Sequence, residues 1–161
     1  MAVTELNKKF KSFHYQTELE WAGDRAAIIG SEGKPDFRVA SPPEFKGEAG
    51  VWTPEDLFVA SVETCTMTTF IAFAERQNLP IVSYSSHAEG LLENVDGNYQ
   101  FTRIILRPTI VISDEAAMDP VCRTFAESHK KCFIANSIRA EVLLEPRIVV
   151  LTTGKEQPCG A

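Results

Sequence analysis

Thr53-Pro-Glu-Asp-Leu-Phe-Val-Ala-Ser-Val-Glu-Thr-Cys-Thr-Met-Thr-Thr-Phe-Ile-Ala-Phe-Ala-Glu-Arg76 is the stretch around which the rest of the chain has to be arranged. Thr53 is an N-cap residue, Pro54 suits the first helical position, and Glu55 and Asp56 place negative charge where the helix dipole favours it. The spacing predicts one helix running to about Gln77, stopped by Asn78 and Pro80. Leu57, Phe58, Val59, Val62, Met67, Phe70, Ile71 and Phe73 fall on several faces, so burial on most sides is expected. Ser61, Cys65, Thr68 and Ala72, three and four residues apart, form one stripe of small or hydroxylic side chains. Such a stripe admits a close neighbour, either a small ligand or simply another helix.

Working outward, residues 13–21 alternate polar and apolar, Ala22-Gly-Asp24 reads as a turn, and residues 25–29 and 37–40 read as short strands of a small antiparallel sheet. Ser41 to Trp52 is a loop with two prolines and two glycines. Beyond the helix, residues 82–92 and 100–112 form a strand pair joined by the turn Asn94-Val-Asp-Gly-Asn98. A second helix is expected from Asp119-Pro120 to about Lys130, then a short helical turn over residues 132–138 and a last strand over 139–150. Residues from about 151 have little to bury and are expected to be a poorly ordered tail. The pattern is α+β, in a single domain over residues 1–161, with no internal repeat and no linker.

A length of 161 residues is enough for one self-sufficient core, and 44% apolar content excludes general disorder. The net charge is −6 and the basic residues are scattered, which argues against nucleic acid as a partner. Met1 to Lys11 lacks the features of a secretory leader, and apolar runs are interrupted before a bilayer span is reached; a soluble, cytoplasmic protein is expected, with no membrane partner. The three histidines lie far apart and there is no CxxC, so no metal site is expected.

Four cysteines are present: Cys65, Cys122, Cys132 and Cys159. In a cytosolic chain thiols stay reduced unless redox change is the function. Cys65 alone reads as a small core residue, and so does Cys122 on the second helix; Cys159, in a Gly/Pro-containing tail, reads as incidental.

Two longer segments change the weight given to Cys65 and Cys132. Gly47-Glu-Ala-Gly-Val-Trp-Thr-Pro-Glu55, followed ten residues later by Cys65, and His129-Lys-Lys-Cys132-Phe-Ile-Ala-Asn-Ser-Ile-Arg-Ala-Glu-Val-Leu-Leu together resemble the OsmC/Ohr family of osmotically inducible and organic-hydroperoxide-resistance proteins. The resemblance extends from about Trp21 to Val149, with the strand pair and second helix in the family's order.

That resemblance implies an intertwined homodimer, with the cysteine-bearing helices between two antiparallel sheets. It implies a cysteine-based peroxidase with no bound cofactor, in which Cys65 attacks an organic peroxide, Cys132 resolves the sulfenic acid as a disulfide, and a dithiol reductant of the dihydrolipoyl type restores both thiols. Only a thiolate is nucleophilic, and Cys65 lies three turns into its helix, beyond the reach of the N-terminal dipole, so another positive group is expected. The family's group is an arginine held by a glutamate. Glu55 matches the glutamate; at about 15 Å along the helix from Cys65 it would orient an arginine. Arg25 and Arg38 are the candidates, although an exposed ion-pair role fits either. Phe45 and Trp52, with Phe58 and Phe133, are candidates for an apolar mouth, or for core packing. The alternative is a stress-associated binding scaffold with the same fold and little peroxidase chemistry.

Overall fold

Pro54, Glu55 and Asp56 open α1 (Pro54–Arg76), 23 residues long, in a computed structural model that describes residues 11–159. It ends where expected: Asn78 takes up a left-handed conformation with φ 52°, and Pro80 cannot continue the ladder. The chain divides into an N-terminal unit ending at Pro54 and a C-terminal unit beginning at Glu55.

In the N-terminal unit β1 (Glu18–Trp21), β2 (Ala26–Gly30) and β3 (Phe37–Ala40) form an antiparallel sheet in the order β1-β2-β3. The register places Leu19 opposite Ile29 and Trp21 opposite Ala27, then Ile29 opposite Phe37 and Ala27 opposite Val39. One face of the sheet is therefore apolar throughout. Leu19 and Trp21 on it are 64% and 76% exposed.

The C-terminal unit is built on the hairpin β4 (Ile81–Val95) and β5 (Asn98–Ile112). Asp96 and Gly97 both have positive φ, the twist that a two-residue hairpin turn requires. Asp114 accepts a hydrogen bond from the Ala116 N–H and starts a 3-10 turn, Glu115–Ala117, that runs directly into α2 (Met118–His129). Asp114 thus caps the turn that leads into α2, whose own N-cap position is Ala117, and the expected cap Asp119 lies inside the first turn of α2.

After a second 3-10 turn, Ala135–Ser137, the expected single last strand is two: β6 (Glu141–Leu144) and β7 (Arg147–Val150). Both run parallel to β5, β6 beside Arg103 to Leu106 and β7 beside Thr109 to Ile112. Pro146, which has no N–H to give to a ladder, separates them.

The tail also departs from expectation. Residues Glu156–Pro158 form β8, antiparallel to β7, and Cys159 is bonded to Cys122. Neither cysteine is the incidental or core thiol that its local sequence suggested, because β8 returns alongside β7 and meets α2. Loop-closure entropy across a sequence separation of 37 gives such a bridge a worth of about 4 kcal/mol.

One stripe of α1, Val62, Thr66, Phe70 and Ala74, is buried at i, i+4 spacing. Val62 joins Ile104 and Leu106 in one cluster; Phe70 and Ala74 join Ile110, Ile112, Val121, Phe125, Ile148 and Val150 in another. The Phe70 and Phe125 rings meet edge-on at 5.3 Å, and Phe58 stacks on Phe101 at 4.8 Å. Burial on most sides is not reached within this unit. By length and composition α1 could even cross a membrane, contrary to the reading of its interrupted runs, though the core helix of a soluble protein meets the same criterion.

Gly90 on β4 lets α1 lie close: a methyl group there would come within 2.5 Å of a Val59 methyl and 2.8 Å of the Phe101 ring. Alanine in a strand would ordinarily gain about 0.5–1 kcal/mol over glycine, but this overlap costs about 1–3 kcal/mol. Gly90→Ala is expected to lower the urea midpoint with an unchanged m-value; a raised midpoint would show that the helix shifts freely.

Candidate functional site

The two buried clusters of the C-terminal unit are separated along α1 by Thr66, fully buried, and Cys132 lies against it. The turn that brings Cys132 there is anchored by Ile134, Ala135 and Ile138, all packed on the Val62 cluster. Cys132 caps its own turn: the Ala135 N–H donates to its Sγ at 3.5 Å, and the Thr66 hydroxyl approaches the same sulfur at 3.8 Å. Cys132 is fully buried and Cys65 half-buried, and both are free thiols.

The thiols are hydrogen-bonded to each other, and their surroundings push them apart in acidity. Burial pushes the Cys65 thiol up, but the Cys132 thiol, the Ile134 N–H, the Thr69 hydroxyl and the Phe133 N–H together outweigh it and hold Cys65 below the ordinary thiol value. Cys132 is raised, by burial first and then by donating to Cys65. The arrangement favours a thiolate at residue 65 and a neutral thiol at residue 132. The groups that lower Cys65 are all neutral donors, so part of the work expected of a cation is done by hydrogen bonds. His129, half-buried, is pushed toward its neutral form by burial and brings no charge at neutral pH.

A family model of OsmC-like proteins matches residues 47–147. The chain belongs to the OsmC-like protein family. Among solved structures it is similar to an OsmC-like protein of unknown function from Vibrio cholerae, 25% identical, with a TM-score of 0.77, covering 84% of this chain and 99% of that one. It is also similar to the organic hydroperoxide resistance protein OhrB of Bacillus subtilis, 21% identical, with a TM-score of 0.63 over 83% of this chain and 98% of that one, a likeness of fold. A curated relative, the uncharacterized protein YmaD of Bacillus subtilis, is 24% identical over 136 residues, 82% of this chain and 91% of its own length. Two helices and two sheets are the OsmC-like α+β fold.

Glu55, on the first turn of α1, has a buried Oε2 that accepts no hydrogen bond among the described residues. Arg38, in the N-terminal unit, donates to Glu48 through Nη2 at 2.6 Å and Nε at 2.9 Å, and Arg25 donates to the Phe45 carbonyl. Both arginines line a cleft of about 650 Å³ with Asp24, Lys46 and Glu48. Phe45 and Trp52 are 41% and 53% exposed in that unit; Phe133, beside Cys132, is 80% exposed, whereas Phe58 serves the core by stacking on Phe101.

Thr66 and Thr69 went unmarked in the sequence, as did the N–H groups of Phe133 and Ile134. The i, i+4 spacing of Cys65 and Thr69 was a usable signal. Thr68, which the small-residue stripe did include, turns its hydroxyl to the Thr64 and Cys65 carbonyls of its own helix. Cys65 alkylation is expected to rise with pH through a midpoint below that of a free thiol, because the folded thiol is the more acidic. Thr69→Val should move that midpoint upward and Thr69→Ser restore it; an unmoved midpoint in Thr69→Val would remove Thr69 from the site.

Proposed function

We propose that this chain is a cysteine-based peroxidase that reduces organic hydroperoxides to alcohols. The observation that carries the reading is the split pair: a half-exposed Cys65 held toward thiolate by four donors, one of them the thiol of Cys132. A thiolate is what attacks the distal peroxide oxygen. The O–O bond breaks, the departing alkoxide is protonated to the alcohol, and Cys65 is left as a sulfenic acid. The Cys132 sulfur then displaces water and forms the Cys65–Cys132 disulfide. A dithiol of the dihydrolipoyl class returns both thiols and is itself oxidised to a cyclic disulfide. The name of the OhrB relative supports the substrate class.

In this reading Glu55, with its open carboxylate oxygen, orients Arg25 or Arg38 in a homodimer, and Phe133, Phe45 and Trp52 offer apolar surface to the substrate's organic group. The bare apolar face with Leu19 and Trp21, and the limited burial of α1, support a second copy of the chain as the cover. The alternative, a binding scaffold with little turnover, draws support from Arg38 being already engaged by Glu48.

The reduced protein is expected to consume cumene hydroperoxide in the presence of dihydrolipoamide. Cys65→Ser should abolish turnover, while Cys132→Ser should still release one equivalent of alcohol and stop without a disulfide. Turnover that survives in Cys65→Ser would refute the assignment; an ordinary thiol pKa at Cys65 with no alcohol formed would favour the scaffold.

A further inference from the structure

The Cys122–Cys159 bridge has no part in the chemistry proposed above, yet it sits where it governs one strand. Three side chains at alternate positions of the C-terminal segment face the start of α2 and the turn before it. Lys155 bonds Glu115, the Gln157 amide donates to Asp119 at 3.3 Å, and Cys159 is joined to Cys122. The strand spacing of two thus meets helical spacings of four and three, which puts residues 115, 119 and 122 in one row.

The rungs are unequal. Lys155 and Glu115 are about half exposed, and exposed ion pairs add little. The same holds for Arg147 and Glu156 across β7 and β8, 54% and 49% exposed. The backbone adds the Cys159 N–H to the Pro146 carbonyl at 3.0 Å and the Val150 N–H to the Lys155 carbonyl at 2.9 Å, around a ladder of only three residue pairs. A three-residue edge strand with exposed polar contacts is not stable by itself. The covalent rung therefore decides whether β8 stays docked.

We infer that Cys122 and Cys159 form a second redox site, a reversible clasp that takes a dithiol as reductant and whose opening releases β8 from β7. Both cysteines are half-buried at the margin of the core cluster they pack against, so a small dithiol can reach a sulfur when the short β8 frays. One of its thiolates attacks, the S–S bond breaks, and a mixed disulfide forms. The second thiol closes the reductant's ring and expels the other cysteine, the dithiol's two protons ending on Cys122 and Cys159. The oxidised form of the same reductant class closes the clasp by the reverse steps. Release leaves the outer edge of β7 without a partner, while β5 still holds its inner edge.

The test uses the full chain with Cys65→Ser and Cys132→Ser, so that no other thiol enters exchange, beside the unmodified chain. In the oxidised protein Cys122 and Cys159 should resist maleimide. Dihydrolipoamide should make both reactive together and speed hydrogen exchange at the Cys159 amide at least tenfold, leaving Ile104 and Ile110 on β5 protected. Cys159→Ser should exchange fast with or without the dithiol. Labelling of either cysteine before reduction, or an unchanged Cys159 amide after it, would overturn the clasp in both chains, whatever the peroxidase assay gives.

Discussion

Two parallel strands cannot be joined by a hairpin, and β6 and β7 lie parallel to β5. The chain must cross from Ile112 at the end of β5 to Glu141 at the start of β6, and in this protein the crossing is α2 and the turn that follows it. That requirement delivers Cys132 to the middle of α1. Ile134, Ala135 and Ile138 seat the turn on the Val62 cluster, so the sulfur is placed by packing, and the N–H groups of residues 133 to 135 point at the two sulfurs as a consequence.

The chemistry of the pair then follows from direction. A hydrogen bond between two thiols has one donor, and here Cys132 has the deeper burial while Cys65 collects the donors. Desolvation is the largest single influence on each, yet only at Cys65 is it outweighed. An apolar helix thus carries a polarised sulfur whose stabilising partners, among the described residues, are neutral donors. Thr69 takes part because a helix puts the i+4 neighbour beside the Cys65 side chain, Thr66 points instead at the Cys132 sulfur, and the hydroxyl of Thr68 is spent on the backbone.

The order of elements was legible from local chemistry: Pro54 and its acidic turn for α1, Asp96-Gly97 for the hairpin, alternation for β4 and β5. The two motif cysteines were legible from their segments. What went unread depended on contacts between distant residues. Pro146 split a run that reads as one strand, and a 3-10 turn capped by Asp114 starts the second helix before Asp119 is reached. The tail looked idle because nothing in residues 151–159 records that β7 offers it an edge, and Cys122 and Cys159 looked unrelated for the same reason.

By itself the sequence determined the two helices, the β4–β5 hairpin and the short N-terminal strands, since propensity, capping and period act within a few residues, and it singled out Cys65 and Cys132 as the pair to watch. Only the tertiary structure decided which sulfur is the more acidic and which donors make it so. It alone also decided that the remaining two cysteines are joined. Acidity and bonding at a thiol depend on groups within a few ångströms, and those groups are brought there by strand pairing across tens of residues, which no local pattern encodes.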